Sequence, residues 1–204
     1  MKVALYGATG RIGSRIADEA VRRDHSVTPL SRSVAPAVSD GLVALSGDAG
    51  DADDVARIAA EHDVVVSAIG PSRTGGRPKV FLDAVTTLAD NVGTRRLIVV
   101  GQAGSLQVAS GLRLMDTAGF PADLRDEAVA GAASLELLRR SGALVDWLYV
   151  SPAPAIGPGE RTGQYRIGHD VPIGDFISAE DFAVAIVDEI ETPRYRRTRI
   201  HVAY

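Results

Sequence analysis

The chain has 204 residues, a formal net charge of -4, 46% hydrophobic residues and no cysteine. That length suits one α/β domain, and the charge leaves no broad basic surface for nucleic acid or an anionic membrane. The missing cysteines exclude a disulfide framework, a thiolate nucleophile and a cysteine-ligated metal, so the expected partner is a small molecule.

Lys2-Val3-Ala4-Leu5-Tyr6 opens the sequence as a strand pattern. It leaves no room for a charged region, an apolar signal segment and a cleavage site. No apolar run approaches the ~20 residues of a membrane span, and a cytoplasmic location is expected. Short β-rich runs at 3–6, 27–30, 42–45, 64–69, 97–100 and 147–150 alternate with helix-period segments at 11–23, 51–61, 77–91, 124–140 and 178–191. That alternation predicts a Rossmann-type, doubly wound parallel sheet with helices on both faces, and a single domain over 1–204 with a small C-terminal substrate-side region. Val64-Val65-Val66 suits a strand buried on both faces.

Gly7-Ala8-Thr9-Gly10-Arg11-Ile12-Gly13 follows the first strand and opens the first helix, with Ile12, Ile16 and Ala20 on its apolar face. Glycine permits the tight turn and lets backbone approach a phosphate, while the helix start offers unpaired N–H groups and a positive dipole end. The spacing is Gly-x-x-Gly-x-x-Gly. It lacks the Gly-Lys-Ser/Thr ending of a nucleoside triphosphatase loop, so a dinucleotide is the better ligand.

At the end of strand two, where an acid binds the ribose of NAD, the sequence reads Leu30-Ser31-Arg32-Ser33. Arg32 can pair with a 2′-phosphate while Ser31 or Ser33 donates to it, which favours NADP(H) over NAD(H). Arg11 is a second candidate for the same phosphate. Ser67-Ala68-Ile69-Gly70 ends strand four with small residues that allow close passage of the nicotinamide-side ribose. His25, His62, His169 and His201 show no H-x-x-x-H pairing, so no metal site is expected, and no Gly-x-Ser-x-Gly elbow occurs.

Two stretches rich in Gly and Pro, 101–123 and 151–175, follow strands that end on the ligand side and are assigned to the substrate pocket. Ser178 and Asp181 stand as an N-terminal cap pair before Phe182, Ile186 and Ile190, and Pro193 ends that helix. Arg194, Arg196, Arg197 and Arg199 read as a solvated turn and strand edge, with an anion-binding patch as the other reading.

GATGRIGS at 7–14, VVVSAIGP at 64–71, LIVVGQAGSL at 97–106, SPAPAIGPGERTG at 151–163 and FISAEDFAVAIVDEIE at 176–191 carry a resemblance over nearly the whole chain. The sequence resembles the atypical short-chain dehydrogenase/reductases, specifically the NmrA-like NAD(P)H-binding group with its NADH-flavin reductase subset. The resemblance implies that 68–70 line the cofactor and that Asp48 binds the adenine amino group, although Asp48 could instead cap the helix starting near Asp51. Alcohol-acting members use Tyr-x-x-x-Lys, and here Ala130 and Ser134 take those places. Reducing a carbonyl needs a positioned acid. A flavin ring delocalises the charge it acquires and asks mainly for orientation. The expected activity is therefore an NADPH-dependent reductase acting on a flavin-like or quinone-like acceptor. The alternative is a non-catalytic NAD(P)-sensing protein resembling NmrA. Ser105, after strand five, and Tyr165, in a pocket loop, are the candidate catalytic residues, and Tyr149 is expected to fill core space.

Overall fold

The computed structural model describes residues 1–32, 42–71 and 77–204. Its elements begin with β1 (Lys2–Tyr6), α1 (Arg11–Arg22), β2 (Ser26–Ser31), β3 (Leu45–Ser46), α2 (Ala52–Glu61), β4 (Val64–Ser67), α3 (Pro78–Asn91) and β5 (Arg96–Val100). They continue with β6 (Gln107–Ala109), β7 (Leu112–Arg113), α4 (Arg125–Arg140), β8 (Trp147–Pro152), β9 (Ala155–Gly157), β10 (Arg166–Gly168), β11 (Phe176–Ser178), α5 (Ala179–Glu191) and β12 (Thr198–Ala203). The helices fall within one residue of their expected bounds. Four begin one residue later because the expected range counted the capping residue at 51, 77, 124 or 178.

Eight strands form one sheet in the order β10-β12-β8-β5-β4-β1-β2-β3, parallel throughout except for β10 against β12. Val3 aligns with Val27 on one side and Val64 on the other, which places β1 in the sheet interior. Alternate residues then serve opposite faces. Val3, Leu5, Val64, Val66 and Ile98 pack with α1 and α5, while Ala4, Tyr6, Val65, Leu97 and Val99 pack with α2, α3 and α4. Helices therefore cover both faces, as a doubly wound sheet requires. Phe182 and Ile186 of α5 are fully buried, each contributing about 1.5–3 kcal/mol relative to exposure.

Four expectations change. The third strand is the pair Leu45–Ser46 rather than 42–45, an edge position where Val43 and Leu45 stay exposed. The fourth ends at Ser67, so 68–69 are connection. β12 is a full strand between β8 and β10. Its Arg199 is not solvated: the guanidinium is buried, with Nε donating to Asp170 Oδ1 at 2.8 Å and Nη1 to Ser105 Oγ at 2.8 Å.

The cap pair is only half as expected. Ser178 Oγ accepts from Asp181 N at 3.0 Å, but the Asp181 carboxylate does not turn back to the cap. It accepts instead from Gly163 N at 2.7 Å, Thr162 Oγ1 at 2.5 Å and the Tyr204 hydroxyl at 2.7 Å. Arg161, in the same segment, grips buried Glu19 of α1 through two bonds of 2.6 and 2.7 Å. The 159–163 segment thus fastens α1 and α5 together.

Candidate active site

β1 and β4 are neighbours, and α1 leaves β1 toward one face while α3 leaves β4 toward the other, opening a crevice beyond their C-terminal ends. The glycine loop lies there. Gly7 has φ +78°, and a Cβ on it would stand 2.8 Å from the carbonyl of Ala68. A Cβ on Gly13 would stand 2.1 Å from Gly7 O. Both glycines are therefore required by the protein's own backbone packing. Gly10 is the N-cap of α1, and no side chain bonds the free N–H groups of that helix, whose first turn holds no acid. By contrast Asp51 caps α2 and Ser178 caps α5, and each of those first turns carries acidic residues. An N-terminus left open in this way fits a diphosphate, whose charge the N–H groups and helix dipole stabilise.

A cleft of about 770 Å³ extends from this loop. Gly10, Arg11, Ile12, Ala68, Ile69 and Gly70 form its floor, and the two Gly/Pro-rich stretches supply its walls through Leu114, Thr117, Phe120 and 152–156. A Cβ on Gly70 would meet nothing within 4 Å, so its missing side chain opens the cleft rather than serving helix packing. Thr9 sits exposed in the turn of the loop.

Arg32 is exposed one residue past β2, beside Leu30, whose carbonyl accepts from Gly7 N at 3.2 Å. Neither Arg32 nor Arg11 has an ion-pair partner among the described residues, whereas Arg15, Arg22, Arg23 and Arg57 do. Ser33 lies outside the described residues. Asp48 does not cap α2; Asp51 does, accepting from Asp54 N at 3.0 Å. Asp48 Oδ1 accepts from Gly50 N at 2.9 Å, and the residue stays exposed at the start of the loop into α2.

The α4 face near the cleft carries neither tyrosine nor lysine at the dyad positions. Ala130 and Ser134 are buried, and Ser134 Oγ donates to Gly131 O at 2.7 Å. Tyr149 does fill core space: it is 1% exposed, its ring occupies the space beside Gly101, and its hydroxyl donates to Gly131 O at 2.9 Å. Burial pushes that hydroxyl's pKa up.

The sequence reading missed two polar residues on the cleft wall. Gln102 Nε2 donates to Glu127 Oε1 at 3.2 Å, and both line the cavity. Gln102 stood in view two residues past β5; Glu127 became visible only when α4 swung its first turn over the cleft. Phe81, Phe120 and Phe182 were also missed as lining residues, because each reads as ordinary helix core or loop.

Ser105 and Tyr165 do not reach this cleft. Ser105 lines a separate cavity of about 450 Å³ with Arg199, and its hydroxyl accepts from that arginine. The Tyr165 hydroxyl donates to Asp188 on α5, and burial together with that carboxylate raises its pKa. Among the described residues no His, Asp and Glu group could hold a metal ion, and no helix is long and apolar enough to cross a membrane.

A family model for NAD(P)H-binding proteins matches residues 7–193. The uncharacterized protein YwnB of Bacillus subtilis is 35% identical across 99% of this chain and 98% of its own length. A Burkholderia pseudomallei structure, named a "putative exported protein", is 42% identical with a TM-score of 0.88 over the whole of both chains. SP1627 of Streptococcus pneumoniae, named a "putative NADH-flavin reductase", is 31% identical with a TM-score of 0.82 over 99% of this chain and 98% of that one. An open helix N-terminus on a Gly-x-x-Gly-x-x-Gly loop stands at the switch point of this doubly wound sheet, and the chain belongs to the NAD(P)H-binding family.

Proposed function

We propose that the protein is a cytoplasmic NADPH-dependent reductase that passes hydride to a flat conjugated small molecule, flavin-like or quinone-like, held in the cleft. Its main support is the wall facing the floor of that cleft: apolar side chains from Leu114, Phe120 and Leu124, with Ala130 and Ser134 where a proton-transferring dyad would stand. A bound reduced nicotinamide supplies the hydride. The protein's own part is to hold the diphosphate on the first turn of α1, to keep water from the cleft, and to lay the acceptor against 68–71. Two electrons and one proton reach the acceptor as hydride, and the second proton comes from solvent.

Arg32, with Arg11 beside it, supports NADPH over NADH. The name of the Streptococcus relative supports a flavin acceptor. A cytoplasmic location goes with dependence on a donor that metabolism regenerates there. The missing dyad also suits a sensor that binds dinucleotide without turnover. Steady-state NADPH oxidation with flavin mononucleotide, riboflavin, a quinone and simple aldehydes offered in parallel separates these readings. Turnover with a conjugated acceptor is expected. Fast aldehyde reduction overturns the mechanism, and tight NADPH binding without turnover leaves the sensor.

A further inference from the structure

The cleft wall that carries Phe120 is anchored where it begins. Leu114 N donates to Leu106 O at 2.7 Å, Met115 N donates to Gly104 O at 2.9 Å, and the Met115 side chain is buried. Beyond that point the backbone turns on itself. Thr117 N donates to Leu114 O, Phe120 N to Thr117 O and Leu124 N to Pro121 O, each at 3.2 Å. Among the described residues, no backbone hydrogen bond carries 116–123 beyond the span 114–125. A surface loop of this kind keeps one shape when its ends are close and its own side chains pack it.

Arg125 joins those ends. It is the first residue of α4, where a cation faces the positive end of the helix dipole and gains nothing from the helix itself. Its partners lie across the loop instead. Nη1 donates to Met115 O at 2.9 Å, and the guanidinium carbon stands 6.0 Å from the centroid of the Phe120 ring. One side chain thus supplies both a charge-assisted bond across the neck and a cation–π contact to the ring inside it. Phe120, with Leu114, Thr117 and Leu124, lines the cleft whose floor includes Ala68, Ile69 and Gly70. Resting on the reductase reading above, we infer that Arg125 is a positioning residue for hydride transfer: it latches the 116–124 loop and sets the Phe120 ring as the platform against which a flat acceptor lies. Hydride transfer needs the reacting atoms close and aligned, and a misplacement of about 1 Å can cost about 10²-fold. The cofactor, held on the first turn of α1, is not touched by this latch.

Arg125→Met, Phe120→Leu and the two combined test the assignment. Methionine keeps a long side chain and a high helix propensity but loses the donor and the charge. Amide exchange followed residue by residue in Arg125→Met should be about tenfold faster at Thr117 and Phe120, and unchanged at Leu114 and Met115, which bond the body of the protein. Turnover is read with riboflavin and with menadione as acceptors, well below the melting temperature of each variant. In both single variants kcat/KM for the acceptor should fall about tenfold while KM for NADPH stays within about twofold. The double variant is the decisive comparison. Arg125 acting through Phe120 leaves it no slower than Phe120→Leu alone, whereas unconnected effects on the fold multiply to about a hundredfold. Unchanged exchange at Thr117 and Phe120, or losses that multiply, overturn the assignment. The reductase reading fails separately, and takes this role with it, when the unaltered protein oxidises no NADPH with either acceptor.

Discussion

The carbonyl of Gly7 and the Cα of Gly13 approach so closely that a Cβ on Gly13 would stand 2.1 Å from Gly7 O. Gly13 is thus needed to seat α1 on β1 before any ligand arrives. Replacing it with valine tests the fold, and a loss of cofactor binding there would say little about phosphate contact. Gly10 is the informative position. It is exposed, has φ -78° and ψ 165°, and its Cβ would meet only Gly7 O at 3.3 Å. Aspartate is a preferred N-cap residue at such angles, so Gly10→Asp should melt close to the unaltered protein or above it. Its carboxylate would occupy the anion site, and NADPH affinity should fall by at least about tenfold, since like charge replaces helix-end attraction. Parallel thermal melts and calorimetric titrations check both halves. Unchanged affinity in the folded variant would remove the diphosphate from this helix.

Selectivity between the two cofactors should follow Arg32 and Arg11, which have no ion-pair partner among the described residues. A charge-assisted contact to the 2′-phosphate is worth roughly 1.5–3 kcal/mol, or about one to two decades in affinity. Arg32→Ala should therefore bring NADPH close to NADH in a calorimetric comparison while leaving NADH where it was. If the preference survives in Arg32→Ala and disappears in Arg11→Ala, the phosphate lies over the first turn of α1 instead. Equal affinities in the unaltered protein would leave both as surface charge.

The helices, the glycine loop and most of the parallel sheet were legible because each rests on a local signal. Apolar residues recur at helical spacing on α1 and α5, and Asp51 and Ser178 mark where α2 and α5 begin. β12 was illegible for a physical reason. Arg199 and His201 look like surface residues, yet Arg199 is buried against Asp170 and Ser105, and His201 is wholly enclosed, its pKa pushed down by burial. The short strands inside the two irregular stretches were equally hidden. Ala155–Gly157 becomes a strand only by pairing with Phe176–Ser178, a partner no local period announces. The site divides in the same way. Gly7, Gly10 and Gly13 sit in one motif, whereas the Gln102–Glu127 pair spans two elements that meet only on folding.

Glu19 links stability to pH. The residue is 3% exposed, and its carboxylate lies among Arg161, Arg23 and Arg22. Burial alone pushes its pKa up, but hydrogen bonds from Arg161 and Arg23 outweigh that and hold it below the ordinary value of 4.5. A depressed carboxylate pKa contributes stability that is complete above the unfolded value and fades as pH falls through the folded one. Glu19→Gln should accordingly cost about 3 kcal/mol at pH 7, near the lower end for breaking a buried pair, because Arg161 stays partly solvated. Denaturant melts repeated at decreasing pH should show that cost shrinking once the native protein's own carboxylate takes up its proton. A cost that is constant with pH would mean the side chain acts through packing rather than charge.

Ser105 and Tyr165 provide the last test, because the structure places both outside the cleft where hydride would pass. Ser105 Oγ accepts from Arg199, and the Tyr165 hydroxyl donates to Asp188, so each already has a structural partner. General acid catalysis typically supplies about 10²–10⁴-fold, and a residue with that role cannot be removed cheaply. Ser105→Ala and Tyr165→Phe should leave kcat/KM for the best acceptor within about threefold of the unaltered protein, far short of that range. Their cost should appear instead in the melting temperature, since Ser105→Ala strips one hydrogen-bond acceptor from a buried guanidinium. A kcat loss of about a hundredfold or more in either variant, with the fold intact, would mark that hydroxyl as a proton donor and show that the cleft closes further than these side chains now reach.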